Sequence, residues 1–456
     1  MSTATRAHAI LRRSFRKAYP LAVRGEGAYL WDADGKRYLD FSGSAAVNFI
    51  GHGVPEISTA MAAQAAQLEF AHTSQFTTPI AEEYAEELLA FAGDAFQGGA
   101  VFFTSGGSEA VETALKLARQ YQVEVGQKDR FQIISRQQSY HGATLGALSV
   151  SGNRKRREIY LPMVGEFAHL SAPYRYRCVF DCTDGCYNCG QKYAAELERT
   201  IQELNGRAAG FIFEPVSGAT LGAVLPPMGY LQSVAEICRK QGVLLIADEV
   251  MTGMGRAGRN FAVEHWRVAP DILVTAKGLS SGYAPLGAVM ASRKVVEAIT
   301  EGSGALLHGF TYNAHPISLA AGRAVLHYLQ KRKLVQAADD QQEKSPAREL
   351  RKALDSLLEL PTVGDVRGIG LLLGVEFVAD GKTKATFAPE KNFAGLVGQA
   401  AAKRGLLVVC RACLTAGRCK SSSQRDGREV IAKRKGEITR AARRGLKEAW
   451  SKGASR

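Results

Sequence analysis

The chain has 456 residues, 46% apolar and 22% charged, proportions ordinary for a globular protein and a length that suits two domains. No run of 18 apolar residues occurs. The start of the chain sets Arg6, Arg12, Arg13, Arg16 and Lys17 among mixed residues instead of an apolar signal core, so a cytoplasmic protein with no membrane partner is expected. The formal charge of +14 raises the question of nucleic acid, but residues 411–456 hold fourteen Lys/Arg against four Asp/Glu, leaving +4 on the other 410 residues. Basicity is thus a property of the tail. It lacks the interleaved aromatics of a single-strand-binding surface, and no nucleic-acid partner is expected.

In chain order, strand-like and helix-like patterns alternate from about Ala60 to Ala320, which predicts a mostly parallel, doubly wound α/β sheet. Val101–Thr104 reads as a strand running into the turn Ser105-Gly106-Gly107-Ser108-Glu109. Val111, Leu115, Ala118 and Val125 then make an apolar helical stripe. A strand, glycine turn and helix start form an anion site from free N–H groups and the helix dipole, although many such turns bind nothing. Phe131–Ser135 is a second buried strand, followed by Ser139-Tyr140-His141-Gly142. Tyr140 could stack on a flat heterocycle or simply pack. Gly210–Pro215 places Glu214 at a strand end, where Pro215 stops the ladder.

Two further apolar runs stop at charges: Leu244–Val250 at Asp248, and Pro270–Gly278 at Lys277. In an open α/β sheet, ligands bind outside the carboxyl ends of strands, so Asp248 and Lys277 are expected in one crevice. A poorly solvated lysine has a lowered pKa and an amine free to attack a carbonyl. A lysine nucleophile and a carboxylate for a ring nitrogen are what pyridoxal 5'-phosphate requires. Taken alone, Lys277 could equally be a strand-end lysine reaching solvent, and Asp248 a helix cap.

These blocks, with Trp31–Asp40, Glu214-Pro215-Val216, Asp248–Arg256, Thr275–Gly278 and Phe310-Thr311-Tyr312, resemble the class III (ω-amino acid) aminotransferases of pyridoxal-phosphate fold type I. The resemblance runs from about Tyr29 to Gly405. It implies a large domain over residues 59–316 with a seven-stranded, mostly parallel sheet. It also implies a smaller α+β domain built from residues 1–58 and 317–456. Lys277 and Asp248 become the catalytic pair, Lys277 as the Schiff-base lysine and proton shuttle. Val250 and Tyr140 take the two ring faces, Gly107 and Ser108 the phosphate, and Glu214 the ring hydroxyl or a substrate carboxylate. Thr311 would reach the phosphate of the other subunit, so a homodimer is implied. The activity implied is transfer of an amino group from an amine or ω-amino acid to a 2-oxo acid, pyruvate or 2-oxoglutarate. An aminomutase or dialkylglycine-type decarboxylase of the same fold is the alternative. A noncatalytic protein of this fold with a nucleic-acid-binding tail is a further one.

The small side chains of Phe41–Phe49 leave room for a long or bulky donor. Arg175 and Arg177 could clamp a carboxylate or stand as surface charges. Cys178, Cys182, Cys186 and Cys189 lie within twelve residues, but the spacing is not that of paired zinc-ribbon cysteines, and a thiol loop without metal is expected. The tail departs from the resemblance: residues 411–436 carry no buried-strand pattern and no proline, and read as out of frame. The spacing Ile438, Ala442, Leu446, Trp450 then restores a helical stripe.

Overall fold

The computed structural model describes residues 9–180 and 188–409. Cys182, Cys186, the run 411–436 and the stripe from Ile438 lie outside the described residues. The chain opens with an antiparallel meander, β1 (Ala22–Glu26), β2 (Tyr29–Asp32) and β3 (Arg37–Asp40), and a late strand, Leu406–Leu407, pairs in parallel with β3. Asp32 closes the β2–β3 turn. Its Oδ1 accepts the backbone N–H groups of Asp34 at 3.1 Å and Lys36 at 2.9 Å, while Tyr38 donates its hydroxyl to Oδ2 at 2.6 Å. Gly35 takes φ +77° in that turn, a conformation that a side chain would strain.

The central sheet has seven strands. In chain order they are β4 (Ala100–Thr104), β5 (Gln132–Arg136), β6 (His169–Leu170), β7 (Ala208–Phe213), β8 (Leu244–Asp248), β9 (Ile272–Thr275) and β10 (Gly287–Ala291). They lie in the order β4-β10-β9-β8-β7-β5-β6. β10 runs against both its neighbours, and the other pairs are parallel. The apolar runs that ended in charges are therefore central strands, buried on both faces.

Alternation along these strands divides the core into two layers. Leu244, Ile246, Ile272 and Val274 face the helix Gly107–Glu124 through Val111, Ala114 and Ala118. Leu245, Ala247 and Leu273 face the opposite layer with Phe211, Phe213, Tyr193 and Val234. Each of the buried Val, Leu, Ile and Phe side chains contributes about 1.5–3 kcal/mol. The expected helical stripe holds at Val111 and Ala118, with Leu115 partly buried. It fails at Val125, which lies past the last helical residue, Glu124, and is exposed. Among the described residues, no helix is long and apolar enough to cross a membrane.

Candidate active site

Because β4, β5, β7, β8 and β9 all point the same way, their carboxyl ends open on one cavity of about 740 Å³. Lys277, Asp248, Glu214, Tyr140, Val250, Gly107 and Ser108 all line it. The cavity thus brings together seven residues from five separate segments, Asp248 and Lys277 as their strand ends imply and the other five as the resemblance implies. Thr311 is not among the lining residues and is exposed.

Lys277 stands two residues beyond β9, at the start of a single 3-10 turn, with φ +46°. That left-handed conformation costs a residue with a side chain on the order of 1–2 kcal/mol. Lys277 is half-buried and its pKa is lowered. Desolvation is the main cause, opposed by the charge of Asp248 and reinforced by Arg256. A neutral, nucleophilic amine is therefore favoured more than in an ordinary lysine.

Asp248 ends β8 and is buried. One carboxylate oxygen accepts the Val250 backbone N–H at 3.0 Å, and the other accepts from Nδ1 of His141 at 2.7 Å. His141 is itself buried, and its Nε2 has no hydrogen-bond partner among the described residues. Its backbone N–H donates to Ser151 Oγ at 2.8 Å. The histidine thus fixes the carboxylate from behind.

The glycine turn has the shape its sequence implies. Gly106 precedes the helix Gly107–Glu124, and no side chain caps its first turn. The N-terminal dipole and N–H groups face the cavity, as an anion requires. A Cβ on Gly107 would come within 3.1 Å of Val250 Cγ1, so glycine lets this backbone approach the Val250 side chain. Ser108 Oγ accepts the Ala143 N–H at 3.1 Å, tying this turn to the loop just after Gly142.

Glu214 follows β7 and is buried, with its pKa raised by desolvation. Its carboxylate accepts the N–H of Gly218 at 3.0 Å and, at 3.4 Å, that of Tyr140. Beneath it lies Arg136, a residue sequence reasoning missed. Arg136 is buried at the end of β5 and donates Nη2 to the Glu214 carbonyl at 2.6 Å. The signal was available: like Asp248, Arg136 is a charge that terminates an apolar strand. Arg156 also lines the cavity unforeseen.

The segment Phe41–Phe49 contributes Ala45 and Val47 to the cavity, while Phe41 and Phe49 turn into the core. Arg175 and Arg177 are not among the lining residues. Arg177 instead donates Nε to Glu376 at 3.0 Å and Nη1 to the Lys384 carbonyl at 2.9 Å. Cys178 and Cys189 have their sulfurs 3.3 Å apart, and the described residues contain no cluster of three or more candidate metal ligands.

Comparison with known proteins identifies the family. The family model "Aminotransferase class-III" matches residues 12–417. The uncharacterized aminotransferase YodT of Bacillus subtilis is 42% identical over 402 residues, 88% of each chain. A thermostable (S)-enantioselective omega-transaminase from Thermomicrobium roseum has a similar solved structure: TM-score 0.86, 36% identity, covering 98% of this chain and 96% of that one. So does an amine transaminase from an uncultivated Pseudomonas species, solved with pyridoxal phosphate bound, at TM-score 0.87 and 32% identity. There the match covers 97% of this chain and 98% of that one.

Proposed function

The chain belongs to the class III aminotransferases, pyridoxal-phosphate enzymes of fold type I, and from that premise we propose how its own residues carry the reaction. Pyridoxal phosphate, when bound, supplies an electron-accepting ring and a carbonyl carbon that carries the amino group between two substrates. Lys277, Asp248 and the glycine turn suit these needs: a poorly solvated amine, a buried carboxylate and an uncapped helix start, all on one cavity.

Lys277 Nζ would hold the cofactor's carbonyl carbon at rest. Freed by a donor amine, the same nitrogen would take the proton from the donor's α carbon and deliver it to the cofactor carbon that keeps the amino group. Asp248, fixed by His141 Nδ1, would hold a proton on the ring nitrogen. Val250 and Tyr140 would bracket the ring, and Gly107 and Ser108 would hold the phosphate. Glu214 lies beside the ring hydroxyl or the substrate carboxylate. The single observation that carries this division is Lys277 itself, strained at φ +46°, desolvated, and sharing a cavity with Asp248.

The donor is an amine or ω-amino acid and the acceptor a 2-oxo acid, pyruvate or 2-oxoglutarate. A cavity of about 740 Å³ with Ala45 and Val47 on its wall supports a bulky donor. The chain is read as a homodimer, supported by the exposure of Thr311, Tyr312, Leu307 and Phe76. Two domains, 59–316 and the combined termini, are supported by the parallel pairing of residue 406 with β3. The cytoplasm is the compartment inferred, in keeping with the buried thiol of Cys238.

The test is an absorbance scan of the purified protein during a screen of amine donors. The visible band of the lysine-bound cofactor should shift on adding a donor and return on adding pyruvate. A donor converted over many turnovers with no 2-oxo acid present would instead favour the aminomutase.

A further inference from the structure

The geometry points to Arg156 as the residue that receives the carboxylate of the 2-oxo acid acceptor. This assignment rests on the aminotransferase reading above. Arg156 lies in the short helix Arg154–Arg157, which follows the 139–142 loop, and its side chain lines the same cavity as Lys277. Its guanidinium carbon sits 4.2 Å from the centre of the Tyr140 ring. Its positive charge reaches far enough to help lower the Lys277 pKa.

Among the described residues the Arg156 guanidinium has no carboxylate partner, and its Nε is buried with no hydrogen bond. Most other arginines around the fold are taken. Arg136 serves the Glu214 carbonyl, Arg256 the Ala46 carbonyl, Arg367 and Arg177 share Glu376, and Arg259 pairs with Asp339; Arg256 Nη1 and Arg177 Nη2 are also buried without a hydrogen bond, but each of those side chains already holds a partner. A buried guanidinium N–H left unpaired is costly. Arg156 is therefore a pre-oriented planar cation, steadied by the Tyr140 face and still lacking its anion. A carboxylate offers the two oxygens that match its fork.

The cofactor phosphate is the competing anion, but the uncapped start of the helix Gly107–Glu124 already provides for it. Arg13 also borders the cavity, and it is exposed. Burial is what makes an ion pair strong, so the half-buried Arg156 is the better receiver.

The experiment compares wild type, Arg156→Gln and Arg13→Ala as holoenzymes. Each is assayed with one amine donor against pyruvate and against an uncharged aldehyde acceptor, and propionate binding is measured by calorimetry. Arg156→Gln should raise the KM for pyruvate about tenfold to a hundredfold and weaken propionate to the same degree. The aldehyde KM and cofactor retention should stay near wild type, and Arg156→Lys should recover part of the loss.

Equal losses with pyruvate and aldehyde would overturn the assignment, leaving Arg156 as a support for Tyr140. Loss of cofactor would overturn it in favour of the phosphate. A pyruvate-specific loss confined to Arg13→Ala would move the carboxylate to Arg13. Failure of the aminotransferase reading looks different: no acceptor would be aminated by any variant, wild type included, while propionate would still discriminate Arg156→Gln.

Discussion

Lys277 combines two costs at one position: a left-handed backbone and a desolvated amine. Alanine keeps the left-handed cost but removes the desolvated amine, so Lys277→Ala should remove transamination while raising or preserving the unfolding midpoint of the cofactor-free protein. Turnover at wild-type level in that variant would refute the proton-shuttle role. Asp248 sits between His141 and the cavity, so Asp248→Asn keeps the shape and removes the charge. We expect a rate loss of at least about a thousandfold, ~4 kcal/mol of barrier. Losses under about tenfold would mean that Asp248 does not hold the ring proton.

The neighbouring Glu249 behaves differently. Burial raises its carboxyl pKa to about 7, against hydrogen bonds from Thr252 and the Val263 N–H that favour the ionised form. A carboxyl raised in the folded state binds more protons there than when unfolded, so stability falls as pH rises from about 4.5 to 7. The span corresponds to roughly 3 kcal/mol. The unfolding midpoint of Glu249→Gln relative to wild type should therefore be more favourable at pH 8 than at pH 5. An unchanged difference would show that Glu249 titrates normally.

At the level of elements, the segment between β3 and the core departs most from ordinary structure. Gly43, Ser44, Ala45 and Ala46 have φ of 54°, 49°, 65° and 63°, a left-handed turn in which only the first residue is glycine. Each non-glycine there costs on the order of 1–2 kcal/mol, so the surroundings must impose the shape. Asp40 does so from one end, accepting the Ser44 N–H at 3.1 Å and the hydroxyls of Ser42 at 2.6 Å and Ser44 at 2.7 Å. Burial pushes the Asp40 carboxyl up, but the hydrogen bonds from His52, Ser42 and Ser44 outweigh it, and its pKa falls to about 2. From the other end, the buried Arg256 donates Nη2 to the Ala46 carbonyl at 2.7 Å, and Ser281 Oγ accepts the N–H groups of Phe49 and Ile50 at 2.7 and 3.1 Å. Because Ala45 and Val47 wall the cavity, Asp40→Ala should loosen this wall. The amine KM should rise severalfold and stability fall by about 2–3 kcal/mol, with the cofactor band unmoved. An unaltered amine KM would show that the turn keeps its shape without Asp40.

Over the whole molecule, the proposed dimer makes cofactor retention a property of the assembly. Thr311 and Tyr312 are exposed beside the buried Asn313, which accepts the Thr73 hydroxyl at 3.0 Å. The loop is thus held to the body while its outer side chains are presented outward. If Thr311 reaches the partner's phosphate, cofactor bound across the interface stabilises the dimer by mass action. Thr311→Ala should then weaken cofactor retention and dimer stability together. Sedimentation of holo and apo protein checks this; a fully active monomer would remove the shared site.

The sequence by itself determined the strands and the charges that end them. A central parallel strand is buried on both faces, so its composition is almost independent of what packs against it, and the first charge marks where it emerges. Asp248, Glu214 and Lys277 were legible for that reason, as was the glycine turn before the helix Gly107–Glu124. The seven-stranded, mostly parallel sheet was legible too. What only the tertiary structure decided lies in contacts between distant segments. The His141–Asp248 hydrogen bond spans 107 positions, and the Arg256 bond to Ala46 spans 210. The left-handed turn at Ser44–Ala46 contradicts local preference and persists only because Asp40, Arg256 and Ser281 surround it. Arg156 lies in a run of four basic residues, and periodicity cannot say which one turns inward. On the cavity its guanidinium lies against the Tyr140 ring, a contact that neither helical nor strand spacing encodes.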